Sequence, residues 1–450
     1  MKIAIIGAGW AGLAAAIAST QAGHHATVFE ASRAVGGRAR ALSDSQSGNP
    51  LDNGQHILVG AYTECLRLIR LVGVNPESAL LRLPLSLPFV DGTGLQTPIW
   101  AKNWSAPFDA LLAIATARGW SWADRFSLIN VSMGWQCTGF RSSPQQTVAD
   151  LCRKMTPRVR EELIEPLCVS ALNTPADRAS ATVFLRVLKD ALFGINGGSH
   201  LLLPRTDLGS LFPEAAARWL TERGHVVQRG KRVRQLLWND SQWRVDGEPF
   251  DRVICATSSA NAAAMLIQSA QVAPENIANA MRTWAQTASA LHFEAIATVY
   301  AKITEKSNQR LPHPMLALRS GADAPAQFVF DRGQLGGATG LLAFVVSASH
   351  GSREEVQAAV LAQAARELAP LHLGKLEPVQ TIIEKHATFA CTPNLQRPAQ
   401  KIASGLFAVG DYVEGVYPAT LEGAVRSGLS VVTLDGFLST PAAFQTTASP

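Results

Sequence analysis

Three glycines near the amino terminus have the spacing that binding of a dinucleotide pyrophosphate requires. Gly7, Gly9 and Gly12 form the pattern G-x-G-x-x-G directly after the apolar residues 3–6. In such a turn the first glycine permits a tight bend, the second lets backbone approach a pyrophosphate, and the third lets helix and strand pack closely. Free N–H groups and the positive dipole at the start of the following helix attract phosphate. The pattern therefore predicts a strand, a phosphate-binding turn and a helix ending near Gly23.

An acidic residue and a second glycine pair follow at informative distances. Glu30 closes the next predicted strand, residues 26–29, where a carboxylate accepts a hydrogen bond from a ribose 2′-hydroxyl and disfavours a 2′-phosphate. This favours NAD or FAD over NADP. Gly36, Gly37 and Arg38 then resemble the extended FAD signature of the glutathione-reductase-like flavoproteins, in which the arginine can pair with pyrophosphate. The alternative is that Arg38 is an ordinary solvated arginine.

A second group of residues near the carboxyl end suits a flavin. Residues 405–411 form a predicted strand that ends in Gly410 and Asp411, and a predicted helix begins after Tyr417. Asp411 can accept from a ribityl hydroxyl. The start of the helix, residues 419–422, can direct N–H groups and a positive dipole at flavin N1 and C2=O, which stabilises reduced, anionic flavin.

Composition limits the class of protein. The 450 residues are 47% hydrophobic and 17% charged, which is typical of a globular protein with a large core and more than one domain. The net charge of +5 is mild and no dense run of lysine and arginine occurs, so nucleic-acid binding is not indicated. The six cysteines form no C-x-x-C pair, which indicates neither a metal site nor a redox dithiol, and favours a reducing cytoplasm. No apolar run is suited to crossing a bilayer.

The remaining patterns predict an α/β fold, α+β in part, with two interleaved domains. A Rossmann-type FAD-binding domain of the glutathione-reductase-like kind is assigned to residues 1–95, 200–290 and 400–436. A substrate domain of helices and a mixed sheet is assigned to residues 96–199 and 291–399, and residues 437–450 are predicted to be a flexible tail. Helices are predicted at 108–117, 146–153, 158–169, 179–193 and 353–368, and strands at 225–228, 232–238, 242–247, 252–257, 291–303, 326–330 and 341–347. The strands from 225 to 257 are interpreted as a β-meander, the last of which returns to the nucleotide-binding sheet.

Half of the ten tryptophans lie in one stretch around the predicted helix 108–117. They are Trp100, Trp104, Trp120, Trp122 and Trp135. Such a cluster can fill a core, line an apolar pocket or form a belt at a membrane interface. All three interpretations stay open, and the last predicts binding of anionic liposomes through residues 100–122.

Taken together, these stretches resemble the FAD-dependent amine oxidase and phytoene desaturase superfamily. More narrowly, the chain is similar to the hydroxysqualene dehydroxylase family of squalene and hopanoid synthesis. The narrower likeness rests on short stretches at residues 52–56, 60–62, 203–204, 207–208, 296–300, 328–331 and 418–428. No cysteine lies near Tyr417, so the covalent flavin of monoamine oxidases is not expected and FAD should be bound non-covalently.

The resemblance implies an oxidoreductase acting on CH or CH2 groups, in which reduced flavin delivers hydride from N5 to hydroxysqualene, water leaves and squalene forms. An allylic hydroxyl is a poor leaving group until it is protonated, so an acid is needed, and His56, Asp52 and Glu414 are the candidates. A histidine that only hydrogen-bonds backbone is the alternative for His56. The residues assigned to the cofactor are Gly7, Gly9, Trp10, Ala11, Gly12, Glu30, Gly37, Arg38, Gly54, Gln55, Val233, Gly410, Asp411, Thr420, Leu421 and Ala424.

Two further functions stay open alongside this one. The first is a carotenoid-type desaturase or flavin amine oxidase working in the oxidative direction, and the second is a flavin-binding protein without catalysis. For the favoured function we expect an apolar isoprenoid substrate, a cytoplasmic location with peripheral contact at the inner membrane face, and functional coupling to other enzymes of squalene synthesis.

Overall fold

The fold is taken from a computed structural model, which describes residues 1–42, 51–98, 108–239, 242–304 and 310–434. Its largest sheet has six strands in the order β10 (Val226–Arg229), β2 (His25–Glu30), β1 (Lys2–Ile6), β14 (Arg252–Cys255), β21 (Leu406–Ala408) and β20 (Lys401–Ala403). The first five strands are parallel, and β20 runs antiparallel at one edge. The central strands are short, almost wholly apolar runs, as expected for a sheet covered on both faces.

A second sheet of five strands lies in the other half of the molecule. Its order is β16 (Met315–Ala317), β17 (Phe328–Asp331), β18 (Leu341–Ser349), β15 (Phe293–Ile303) and β19 (Leu376–Phe389). Every neighbouring pair is antiparallel, so the prediction of a mixed sheet for this half is wrong. The helix α14 (Arg353–Glu367) carries the chain from β18 to β19, which flank β15 on either side. Because β18 and β19 run the same way but never pair with each other, this crossover adds no parallel ladder.

Smaller sheets complete the strand inventory. A three-stranded meander consists of β11 (Leu236–Asn239), β12 (Gln242–Val245) and β13 (Glu248–Phe250). The others join β3 (Ala41–Leu42) with β4 (Leu51–Asp52), β5 (Leu58–Val59) with β9 (Leu201–Pro204) and β6 (Leu80–Leu83), and β7 (Ser86–Pro88) with β8 (Gly94–Gln96). The meander prediction was therefore only partly right. The strand near 226 pairs with β2 in the parallel sheet instead, because an apolar run alone does not specify which neighbour it pairs with.

Helices cover both sheets and fill the space between them. The remaining α-helices are α1 (Trp10–Gln21), α2 (Thr63–Leu71), α3 (Pro76–Ala79), α4 (Phe108–Ala115), α5 (Trp122–Cys137), α6 (Val148–Leu151), α7 (Pro157–Val159), α8 (Glu165–Leu172), α9 (Ala181–Phe193), α10 (Leu208–Leu211), α11 (Pro213–Thr221), α12 (Ser259–Ser269), α13 (Glu275–Ser289) and α15 (Leu421–Ser430). A π-helix, Arg160–Ile164, joins α7 to α8. None of the helices in the described part of the chain is both long and apolar enough to cross a membrane.

The helix α5 was not predicted, although a local pattern marks its start. The Ser121 hydroxyl accepts from the backbone N–H of Asp124, and the Asp124 carboxylate accepts from the backbone N–H of Ser121. This reciprocal capping box is readable in sequence as Ser-x-x-Asp.

The strands of each of the two large sheets come from the residue ranges that were assigned to one predicted domain. The division into two domains itself stays a prediction. The parallel sheet is built from the first 30 residues and from strands near 226, 252 and 406, whereas the antiparallel sheet is built from residues 293–389. The proposed tail, 437–450, lies outside the described residues.

Candidate functional site

A cavity of about 940 Å³ lies where the carboxyl ends of the parallel strands face the antiparallel sheet and the helices α5, α8 and α9. Open α/β sheets bind ligands at this end of their strands. One side of the cavity is formed by turns that follow β1, β2, β14 and β21, and these turns are polar. The other side is mostly apolar.

The glycine turn has the shape that its spacing predicts. Gly7 has φ +114°, and a Cβ placed on it would lie 2.6 Å from the carbonyl oxygen of Ala256. A Cβ on Gly12 would lie 2.0 Å from the carbonyl oxygen of Gly7. By contrast, a Cβ on Gly9 would meet nothing within 4 Å. Gly7 and Gly12 are thus required by the protein itself, whereas Gly9 faces open space in the cavity.

The start of α1 supplies hydrogen-bond donors at the same place. Gly9 is the N-cap residue and makes no side-chain capping hydrogen bond. The first N–H groups of a helix have no partner within the helix. Trp10 and Ala11 line the cavity beside Gly9. The turn therefore presents an open, N–H-rich concavity that fits a diphosphate.

Glu30 lies at the end of β2 and is held in place by the backbone. Its two carboxylate oxygens accept from the N–H groups of Ala8 and Ser32, each at 2.8 Å. A carboxylate has about four acceptor positions, so two are left for a ligand. Because Glu30 also lines the cavity, it remains able to accept from ribose hydroxyls as predicted.

Arg38 and Asp411 form an ion pair with each other across the cavity wall. The guanidinium donates to the Asp411 carboxylate and, at 2.6 Å, to the carbonyl oxygen of Ala387. The Asp411 side chain is only 7% exposed, and that of Arg38 is 35% exposed. The sequence predicted that Arg38 would contact the pyrophosphate and Asp411 a ribityl hydroxyl. It did not predict that the two side chains would pair with each other.

The helix α15 begins at the cavity with a strained turn before it. Ala419 has φ +58°, a left-handed conformation that residues with a Cβ rarely adopt. Its N–H donates to the carbonyl oxygen of Asp411 at 3.2 Å. The Thr420 hydroxyl then caps the helix by accepting from the N–H of Gly423 at 2.9 Å. This turn places the first N–H groups of α15 toward the cavity, next to Asp411.

The structure brings nearly all of the predicted cofactor residues together. Those that line the cavity are Gly7, Gly9, Trp10, Ala11, Glu30, Gly37, Arg38, Gly54, Gln55, Val233, Gly410, Asp411, Thr420, Leu421 and Ala424. Gly12 lies behind the turn and packs α1 against Gly7. No cysteine is among the described residues that line the cavity.

The rest of the cavity is an apolar chamber. Side chains from α5, the π-helix, α8, α9 and the antiparallel sheet form its walls, among them Leu128, Leu163, Leu167, Phe184, Val187, Ile296, Phe328, Phe330 and Val345. Such a wall suits a long hydrocarbon, because it offers few hydrogen-bond partners to hold water.

The three described tryptophans of the cluster have three different environments. Trp135 is buried and lines the chamber. Trp120 is buried, and its indole N–H donates to Glu162 at 2.9 Å. Trp122 is 70% exposed and packs beside Phe126, which is 64% exposed. Trp135 therefore lines the pocket, Trp120 belongs to the core, and Trp122 lies at the surface. Trp100 and Trp104 lie outside the described residues.

His56 lies on the cavity wall with one ring nitrogen occupied. Its Nδ1 is 2.9 Å from the carbonyl oxygen of Gly54, which can only accept, so Nδ1 carries the proton. Burial lowers the pKa of His56, and the positive charge of Arg38 lowers it further, against the opposing effect of the Gly54 hydrogen bond. The ring is thus neutral at neutral pH. Its Nε2 can accept a hydrogen bond from a hydroxyl, but it must take up a proton before it can act as an acid.

Asp52 does not reach the cavity and instead organises the wall behind it. Its side chain is 2% exposed, accepts from the N–H of Leu208 at 2.8 Å, and lies 3.8 Å from the guanidinium of Arg332. Arg332 in turn donates to the side-chain oxygen of Gln55 at 3.0 Å, and Gln55 lines the cavity. Burial raises the pKa of Asp52 to about 6, against the opposing effects of Leu208 and Arg332. The placement favours a positioning role over that of an acid.

The raised pKa of Asp52 makes stability depend on pH. The folded state holds the Asp52 proton more tightly than the unfolded state, so protonation of Asp52 stabilises the fold. This contribution to the free energy of unfolding is fully present below the ordinary aspartate pKa and is lost as pH rises through about 6. Relative to Asp52→Asn, the wild type should lose about 2–3 kcal/mol in free energy of unfolding between about pH 4 and about pH 7. Urea unfolding of both proteins across that range measures the difference. A constant difference would contradict the burial effect.

Glu414 is placed away from the cavity, which argues against it as the acid. It is exposed and lines a second cavity of about 510 Å³, together with Arg67, Arg397 and Arg426. Asp411 lines both cavities, whereas Glu414 lines only the second of the two.

Several cavity residues were not predicted at all. Tyr62, Asp190, Tyr412 and Tyr417 line it, and the Tyr417 hydroxyl donates to Asp190 at 2.8 Å. Tyr417 and Asp190 are 227 positions apart. No local pattern connects them, so only the folded chain shows that they meet.

Comparisons with known proteins agree with this geometry. The chain is 26% identical over 452 residues to a hydroxysqualene dehydroxylase of Zymomonas mobilis subsp. mobilis, covering 96% of this chain and 98% of that protein. It is 27% identical over 448 residues to a hydroxysqualene dehydroxylase of Rhodopseudomonas palustris, covering 94% and 96%. The fold is similar to a crystal structure of an oxidoreductase from Methanosarcina mazei, with a TM-score of 0.68 and 18% identity over 96% of this chain and 100% of that one.

A sequence model of one family spans almost the whole chain. The flavin containing amine oxidoreductase model matches residues 10–434, which include α1, the apolar chamber and the start of α15. The protein is therefore an enzyme of oxidoreductase type with a flavin cofactor. It belongs to the flavin containing amine oxidoreductase family.

Proposed function

We propose that this chain is a FAD-dependent enzyme that reduces hydroxysqualene to squalene with loss of water. The similarity to two hydroxysqualene dehydroxylases along at least 94% of the chain carries the proposal. The cavity supports it, because a polar, nucleotide-type side and an apolar chamber open into each other. A flavin on the polar side and a polyene in the chamber would then be in contact.

The polar side fits FAD in particular. Gly9 has space in front of it and the start of α1 offers N–H donors, which suits a diphosphate. Glu30 has acceptor capacity left for ribose hydroxyls and disfavours a 2′-phosphate. Since no described cysteine lines the cavity, we propose that FAD is held non-covalently.

The chain's own residues must orient the substrate and assist the departing hydroxyl. Bound FAD, once reduced, would supply the hydride at N5. The chamber excludes water from a developing allylic cation, which strengthens any electrostatic contact there. His56 is the titratable candidate that faces the cavity, and its free Nε2 can hold the substrate hydroxyl. To protonate that hydroxyl, His56 must first receive a proton.

Product analysis tests the function directly. Anaerobic enzyme with chemically reduced FAD should convert hydroxysqualene to squalene while the flavin absorbance returns to that of the oxidised form. Squalene and phytoene serve as controls, since neither carries a hydroxyl to lose. If flavin stays reduced and no squalene forms, the dehydroxylase proposal is wrong, and desaturation of phytoene by oxidised enzyme would favour the oxidative alternative.

We also propose that α4 and α5 contact an anionic membrane from the cytoplasmic side. Large apolar side chains are exposed on these two helices: Phe108, Leu111, Trp122, Phe126 and Met133. The same two helices line the chamber through Ile114, Leu128 and Trp135. A lipid surface could therefore deliver the apolar substrate close to the chamber, and squalene could return to it for other enzymes of squalene synthesis.

The membrane contact predicts a specific loss on substitution. The double variant Trp122→Ser with Phe126→Ser should bind phosphatidylglycerol vesicles about tenfold or more weakly in a sedimentation assay, because two aromatic anchors are removed. Ile267→Ser with Val272→Ser changes exposed apolar residues on α12 and just after it, and should leave binding unchanged. Equal sedimentation of all three proteins, or none for the wild type, would refute the contact.

A further inference from the structure

Tyr412 is a buried tyrosine with a hydroxyl that has no partner. It follows Asp411 in the turn after β21, is 2% exposed and lines the cavity. No hydrogen-bond partner for its hydroxyl exists among the described residues. Leaving a buried hydroxyl unsatisfied is costly, and native proteins seldom do so without a reason.

The other tyrosines show that this is particular to Tyr412. All four tyrosines of the chain are described. Tyr300 donates to the carbonyl oxygen of Asp52 at 3.1 Å, and Tyr417 donates to Asp190 at 2.8 Å. Tyr62 has a side-chain hydrogen bond with Thr420. Among the tyrosines only the Tyr412 hydroxyl is left without a protein partner, and Tyr412 lines the cavity next to Asp411, on its polar side.

The ring of Tyr412 is closely packed by Gly410 and Trp284, which restricts its rotation toward another partner. Gly410 passes so close that a Cβ on it would lie 2.6 Å from Cε1 of the tyrosine ring. Trp284 packs against the ring edge-on, with centroids 6.3 Å apart. Burial raises the pKa of Tyr412, helped by Cys255 and Asp411, so the hydroxyl stays protonated and can donate.

We propose that the Tyr412 hydroxyl is a further cofactor-binding group, which donates a hydrogen bond to an oxygen of the phosphate–ribityl part of the dinucleotide. Its neighbours support this assignment, because Arg38 and Asp411 are the residues suited to pyrophosphate and to a ribityl hydroxyl. The assignment rests on the FAD site of the proposed function and is independent of the substrate.

Tyr412→Phe tests the assignment, since it removes the hydroxyl and keeps the ring. The apoprotein should melt at the wild-type temperature or above it, because no protein hydrogen bond is lost. Its Kd for FAD, measured by quenching of flavin fluorescence, should rise about tenfold to a hundredfold. Titration with ADP locates the acceptor. A matched loss of ADP affinity assigns the hydroxyl to the diphosphate, and unchanged ADP affinity assigns it to the ribityl chain.

Tyr300→Phe is the matched control, because its hydroxyl is buried but bonded within the protein and Tyr300 is not a cavity residue. It should lower the melting temperature of the apoprotein and leave the Kd for FAD unchanged. If Tyr412→Phe behaves like this control, or binds FAD as tightly as the wild type, the assignment is wrong. Neither result depends on whether the wild-type enzyme forms squalene.

Discussion

Gly9→Leu is expected to give a folded protein that binds FAD far more weakly, whereas Gly12→Ala is expected to impair folding. At Gly9 the backbone has φ −75°, and an added Cβ meets no protein atom within 4 Å. A leucine there begins from an unobstructed Cβ, and its side chain would occupy the space in front of the helix terminus. We expect FAD affinity to fall by roughly a thousandfold, equivalent to about 4 kcal/mol. At Gly12 the added Cβ would lie 2.0 Å from a carbonyl oxygen, and we expect a loss of about 3 kcal/mol in stability.

The two variants are compared by the melting temperature of the apoprotein and by flavin absorbance after purification. Gly9→Ala is the control, because a single methyl group intrudes least on the cofactor space. It should retain more flavin than Gly9→Leu and melt at the same temperature. Full flavin occupancy of Gly9→Leu would overturn the placement of the diphosphate. A Gly12→Ala protein as stable as wild type would contradict the observed packing of α1 on the turn.

The glycine turn and the strands around it could be predicted from sequence because the determinants are local. Gly12 is specified by its contact with Gly7, and Gly7 by the positive φ of the turn itself, although Gly7 also packs against the distant Ala256. The apolar run before them needs no distant partner to be recognised. The same holds for the start of α15, where Thr420 caps its own helix. These patterns indicate both the element and its orientation, so many of the residues that line the polar side of the cavity could be predicted from them.

Pairings between distant segments could not be predicted in the same way. Arg38 and Asp411 were each assigned to the cofactor, but their ion pair joins residues 373 positions apart. The role of Asp52 likewise depends on Arg332, which no local pattern connects to it. A sequence pattern records the type of a residue and its near neighbours, whereas the chemistry of a carboxylate depends on what the fold places beside it. For this reason the sequence offered Asp52 and Glu414 as candidate acids, whereas in the structure neither residue lines the cavity.

Arg38→Met is expected to cost both stability and cofactor binding, because it leaves the buried Asp411 carboxylate without its counter-ion. Removing one partner of a buried ion pair is strongly destabilising. Since the Arg38 side chain is 35% exposed and water screens part of the effect, we expect about 2–3 kcal/mol rather than the larger values of fully buried pairs. The free energy of unfolding of the apoprotein and the Kd for FAD are the two measurements.

The double variant Arg38→Met with Asp411→Asn separates the two effects. Neutralising Asp411 removes the unpaired buried charge, so much of the lost stability should return. The pyrophosphate would still lack its cation, so FAD affinity should stay low even though the amide can still accept from a ribityl hydroxyl. If FAD affinity returns together with stability, Arg38 serves only as the counter-ion of Asp411. The polar side of the cavity would then bind the diphosphate through the start of α1 alone.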